Sequence, residues 1–143
     1  MIKDVLINIK GVQGIDDQSD TIEFTSEGRF GVKDNEFFIA YDEGQMFEEK
    51  AEVKTKIFIK PDNSVVLERK GAVNSKMLIQ EGKRNSCFYN TPLGDLVISI
   101  FGEKVDNNLS FDGGNITLSY TIDSDMRILS RNSVKISVNE VKQ

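Results

Sequence analysis

Apolar and polar residues alternate with a period of two through most of this chain. Ala51 to Ile59 reads Ala-Glu-Val-Lys-Thr-Lys-Ile-Phe-Ile, with an apolar or small residue at every odd position. Comparable runs occur at Val5 to Ile9, Leu96 to Ile100, Ile116 to Ile122 and Val134 to Val138. Side chains of an extended strand point alternately to its two faces, whereas a helix needs apolar residues three and four apart. The pattern therefore specifies half-buried β-strands, and the chain is an all-β protein.

Turn-forming residues between the runs set the strand boundaries. The spacing predicts a first strand over Lys3 to Gln13, a polar acidic loop from Gly14 to Asp20, and a second strand from Thr21, interrupted by a bulge, bend or tight connection at Glu27 to Gly31. Strand three is expected over Glu36 to Asp42 and strand four over Ala51 to Lys60, with a helical turn around Met46, Phe47 and Lys50 between them. Pro61-Asp62-Asn63-Ser64 reads as a hairpin turn, because proline presets the first corner and Asp or Asn tolerates the second. Further strands follow at Val65 to Lys70, Lys76 to Gln80, Asn85 to Thr91 and Asp95 to Val105. A polar loop at Asp106-Asn107-Asn108 then precedes the last two strands, Asn115 to Asp123 and Ser133 to Val141. Eight to ten strands joined by short connections within 143 residues imply one domain, residues 1–143, folded as an up-and-down antiparallel β-barrel. Closure would remove the unpaired strand edges that an open sheet exposes.

Composition excludes more chemistry than it suggests. With no histidine in the chain, serine and cysteine catalysis by an imidazole base, histidine-ligated zinc and an imidazole pH switch are all ruled out. No nucleophile and base stand at a recognisable spacing, so the expectation is a protein without enzymatic activity or cofactor. Asp16, Asp17 and Asp20 lack the glycine and glutamate of a calcium loop and read as a solvated turn, leaving no metal site. A net charge of -5 disfavours nucleic acid as a partner. Met1 to Lys10 carries charges where an export signal needs an apolar core, no apolar run reaches the length of a membrane helix, and Cys87 is the single cysteine. The expectation is a cytoplasmic monomer or homodimer that does not engage a membrane.

Arg69-Lys70-Gly71-Ala72-Val73 and Tyr89-Asn90-Thr91-Pro92-Leu93-Gly94 are the most specific pieces of the chain. Together with Tyr41-Asp42-Glu43, Met77, Glu81-Gly82 and Tyr120, they resemble the YwiB-like family of small bacterial proteins of unknown function. The resemblance implies a calycin-like, lipocalin-like β-barrel and carries no activity or site with it.

Arg69 shares strand parity with Val65 and Leu67, so it points inward if they do. A guanidinium in an interior must be paired, and its planar fork suits a carboxylate or phosphate. On one reading Arg69 anchors an anionic small molecule, with hydroxyls from Tyr41, Tyr89 or Tyr120 orienting it, much as fatty-acid-binding barrels do. On the other, Arg69 sits at the barrel mouth and pairs with Glu81 or caps carbonyls. Cys87, between Ser86 and Phe88 and without a nearby base, reads as an inert structural thiol. Lys54, Lys56 and Lys60 with Phe58 form a basic, aromatic outer face, the alternative site for a protein or RNA partner. Neighbouring glutamates such as Glu68 would cancel much of its field.

Overall fold

The structure, a computed structural model, describes residues 2–15, 18–42, 53–71, 74–91, 94–124 and 127–140, with the side chains of Tyr89, Thr91 and Leu96 outside that description. Ten strands follow one another: β1 (Ile2–Ile15), β2 (Gln18–Lys33), β3 (Glu36–Asp42), β4 (Val53–Ile59), β5 (Val65–Gly71), β6 (Asn74–Ile79), β7 (Arg84–Thr91), β8 (Gly94–Ser110), β9 (Gly113–Ser124) and β10 (Arg127–Glu140). Each pairs antiparallel with the next, and β1 pairs with β10 to close the barrel. The all-β, up-and-down architecture expected from the alternation is thus the one observed. The helical turn around Met46, Phe47 and Lys50, and the acidic Asp16 and Asp17, lie outside the described residues.

Several boundaries differ from expectation, β10 beginning at Arg127 and not at Ser133, and three of the differences are instructive. Most of the expected acidic loop is strand, because Ile15 pairs with Gln18, Gly14 with Ser19 and Gln13 with Asp20. Asp106-Asn107-Asn108 is strand, paired with Thr117, Ile116 and Asn115. There the polar side chains bond locally, Leu109 N donating to Asn107 Oδ1 at 3.0 Å, while the ladder runs on to the Phe111-Asp112 turn. The third is β2, which runs unbroken through Glu27 to Gly31. Gly28 serves close approach instead of a bulge, since a Cβ there would lie 2.4 Å from the Ala40 carbonyl oxygen. β2 reverses at Asp34-Asn35, with positive φ of 54° and 63°, the two left-handed residues a twisted two-residue hairpin requires.

Inward-facing residues fill one half of the barrel. Phe30, Ile7, Ile39, Ile57, Ile59 and Ile79 are completely buried there. Lys3 closes that end: its ammonium donates to the Phe111 carbonyl at 2.8 Å and lies 5.1 Å from the Phe111 ring centre. The connection between β6 and β7 folds over the same end, with Gly82 N donating to Gly102 O at 2.8 Å and Gly102 N to Lys83 O at 3.1 Å. Ten strands make a wider barrel than the eight whose interior side chains just fill. The surplus room lies toward the opposite end.

The wall is loosest between β6 and β7, whose ladder consists of Asn74↔Asn90 and Ser75↔Tyr89. Beyond it side chains replace backbone donors, the Cys87 thiol donating to Lys76 O and Asn85 Nδ2 to Leu78 O, both at 3.3 Å.

Candidate functional site

The barrel register brings the sequence candidates into one row. Tyr41 on β3 pairs with Thr55 on β4, Thr55 with Arg69 on β5, Arg69 with Ser75 on β6, and Ser75 with Tyr89 on β7. Thr55 shares its inward parity with Val53, Ile57 and Ile59, and Ser75 shares its own with Met77 and Ile79, all buried. The row is therefore a polar belt on the inner wall of an otherwise apolar barrel.

Arg69, Tyr41 and Tyr120 meet around a cavity of about 140 Å³ beside this belt. Its remaining wall is mainly apolar, including Phe24, Leu67, Leu118, Val134 and Ile136. Tyr41 is held by Phe24, the two rings 6.0 Å apart and tilted by 57°. Tyr120 comes from β9, opposite Gly102 and Asn132, so its side chain approaches from the far wall. Among the described residues that line the cavity, Arg69 is the one charged side chain. Tyr89 occupies the expected place in the register, and its side chain lies outside the described residues.

Thr55 and Ser75 are the site residues that parity reasoning passed over. Thr55 is completely buried and Ser75 is 7% exposed, and among the described residues neither hydroxyl has a hydrogen-bond partner. A buried hydroxyl left unbonded costs about 1–3 kcal/mol. Two of them on either side of an inward arginine mark a place where stability has been given up for polarity.

Residues 7–136 match the family described as a domain of unknown function, DUF1934. The chain belongs to this family. It is 25% identical over 117 residues, 81% of this chain and 79% of the relative, to the uncharacterised β-barrel protein YwiB of Bacillus subtilis strain 168. The crystal structure of the ywiB protein from Bacillus subtilis superposes with a TM-score of 0.86 at 20% identity, covering 99% of this chain and 94% of that one. The resemblance carried by Arg69 to Val73 and Tyr89 to Gly94 is borne out, and so is an antiparallel β-barrel.

Glu81 does not belong to this DUF1934 site, contrary to its place among the candidates. It lies past the end of β6, where its Oε2 accepts from Val105 N at 3.2 Å. Arg69 is opposite Ser75, and the intervening strand alone spans more than about 13 Å at 3.3 Å per residue. The pairing expected of Arg69 and Glu81 is thus replaced by a Glu81 cap on the β8 backbone, at the closed end of the barrel.

The alternative outer face on the DUF1934 barrel exists but is balanced in charge. Lys54 and Lys56 point outward, and Phe58 packs on Phe38 with ring centres 5.4 Å apart. Lys56 pairs in register with Glu68, which also holds Lys70 at 3.1 Å. Lys60 lies just past β4, where its ammonium meets Glu36 at 3.0 Å. Such a face has little net field with which to attract an anionic polymer.

Cys87 faces inward on β7 and is 3% exposed. Burial pushes its thiol above the ordinary value of 9.0, against the opposing pull of the Lys76 backbone and of the Arg69 charge. The folded thiol holds its proton more tightly than the unfolded one, so its contribution to stability is complete below that value and declines as pH rises past it. Iodoacetamide is expected to label native Cys87 at least tenfold more slowly at pH 7.5 than the denatured chain. Equal rates would show that the thiol is accessible and ionisable in the folded barrel.

Proposed function

We propose that this protein binds a small, partly apolar anion inside its barrel, with Arg69 as the charge anchor and Tyr41 and Tyr120 orienting the bound molecule. The observation that carries this reading is the convergence of these three side chains from β3, β5 and β9 on one largely apolar cavity. Apolar walls supply most of the affinity of such a site, and a few placed polar groups fix orientation. An anion leaving water for this cavity gains charge-assisted hydrogen bonds from a guanidinium whose geometry suits carboxylate or phosphate. The reading is binding without turnover, and it takes the cytoplasm, where a lone thiol stays reduced, as the working compartment.

Native mass spectrometry beside the denatured mass tests for a retained small molecule, and thermal melting across a panel of carboxylates and phosphates tests for binding directly. A ligand at one hundred times its Kd is expected to stabilise the fold by about 2.7 kcal/mol, a readily measured rise in Tm. A protein of bare sequence mass whose Tm responds to no anion in the panel would overturn the reading.

A further inference from the structure

We infer that the outer wall over β3 and β4 is a self-association face, on which a second copy of this chain docks about a two-fold axis running along the strands. The inference concerns the outside of the barrel and is independent of the interior binding role.

One row of the register builds the face. Ile2 pairs with Gly31, Gly31 with Phe38, Phe38 with Phe58, Phe58 with Val66 and Val66 with Leu78. Each alternates with buried inward residues on its own strand, so β1 to β6 set five apolar side chains and a glycine side by side on the outside. Phe38, Phe58, Val66 and Leu78 stay partly exposed, and Ile2 is 63% exposed. Beside Gly31, where no side chain stands, the band sinks into a groove of about 500 Å³ walled by Ile2, Phe38 and Phe58. Single apolar residues on a surface are ordinary, but a contiguous band with a groove in it marks a contact face.

Charge selects the occupant and its orientation. The next outward row toward the open end of the barrel runs Arg29, Ala40, Lys56, Glu68 from β2 to β5. On the other side of the band stand Lys33, Glu36 and, just past β4, Lys60. A two-fold axis along the strands, midway between β3 and β4, lays β3 of each copy on β4 of the other and β2 on β5. Phe38 then meets Phe58, and Val66 meets the dent at Gly31. Arg29 faces Glu68, Glu36 faces Lys60, and Lys56 lays its stem over Ala40. Every charged pair across this axis is of opposite sign. An axis across the strands would stack the same bands but set Arg29 against Lys33 and Lys56 against Lys60, like charges throughout. The charge rows therefore complement a second copy of themselves in one orientation and repel it in the other, which is how an isologous interface fixes its register.

The barrel wall is convex, so the contact is centred on β3 and β4, with β2 and β5 at its rim. Its area falls below that of a standard interface, and a weak dimer with a Kd on the order of 10 μM is expected.

Sedimentation velocity on the purified chain from about 1 to 200 μM, a range that brackets such a Kd, tests the inference, with Tm measured for each variant as a check on folding. The wild type is expected to pass from the mass of one chain to that of two. Phe58→Ser is expected to weaken association at least about tenfold by opening the centre of the face. Arg29→Glu and Glu68→Arg are each expected to weaken it roughly tenfold, since each turns two rim attractions into repulsions. An equimolar mixture of these two variants is expected to associate as well as the wild type, because both rim contacts of the mixed dimer again join opposite charges. Damage to the single chain would not be repaired by mixing. A wild type with the mass of one chain at every concentration would overturn the inference and leave the band to a partner of other chemistry. A dimer untouched by Phe58→Ser would place the contact elsewhere and overturn the face. Tighter association of Arg29→Glu, or a mixture that stays apart, would overturn the axis along the strands.

Discussion

Gly102→Val is expected to destabilise the barrel by at least about 3 kcal/mol, lowering Tm by roughly 10 °C. A Cβ at this position would lie 2.3 Å from the Gln80 carbonyl oxygen and 2.7 Å from its carbon, both backbone atoms that no rotamer change can move aside. The clash falls where the β6–β7 connection docks on β8 through two backbone hydrogen bonds and where Glu81 caps Val105 N. Relieving it means lifting that connection off the barrel end, which exposes Ile79 and Ile100 beneath. Chemical denaturation of Gly102→Ala beside Gly102→Val separates this account from strand propensity. Valine is the better strand former, so a propensity effect would favour it, whereas a backbone clash makes both variants much less stable than the wild type. A Gly102→Val protein as stable as the wild type would show that the connection does not dock there.

The alternation made the fold legible because barrel strands carry their burial pattern in the sequence itself. Strand three, Glu36 to Asp42, lies where the alternation placed it, and Pro61 to Ser64 turns as its residues require, with Asn63 at φ 67°. Composition misled where polar residues were taken as loops. Asp106 to Asn108 extend β8 because their backbone groups pair with β9 whatever their side chains do, and strand ends depend on that ladder. Glycine misled in the same way at Gly28, where the constraint is a neighbour from β3 that local sequence cannot reveal.

The candidate site was legible in halves. Parity alone put Arg69 and Tyr41 on inward faces, since each sits two residues from an apolar inward neighbour, Leu67 and Ile39. The same argument applied to Thr55, a hydroxyl among Val53, Ile57 and Ile59, would have found a third member of the belt. Ser75 needed more, because its significance lies in facing Arg69 across β5 and β6. Glu81 was misplaced for the same reason. Sequence proximity to Arg69 suggested a pair, but β6 carries the chain from one end of the barrel to the other between them.

Arg69→Gln is expected to weaken carboxylate binding by about 100-fold while changing stability by less than about 1 kcal/mol. The estimate is the loss of two charge-assisted hydrogen bonds at about 1.5 kcal/mol each, and 1.4 kcal/mol is tenfold in affinity. Arg69 is only half-buried, so removing its charge leaves the apolar packing of the barrel in place. Arg69→Lys divides the effect into its parts, retaining the charge and losing the planar fork, and is expected to fall about tenfold short of the wild type. Ionic strength then locates the interaction. An anion held inside the wall is screened far less by salt than one on an exposed lysine face. Carboxylate affinity measured at 0.05 and 0.5 M NaCl should therefore change little, and charge reversal at Lys54 and Lys56 should leave it unaltered. If Arg69→Gln bound as well as the wild type, or if Lys54 and Lys56 reversal abolished binding, the anion would be sitting on the outer face and the interior would be a core like any other.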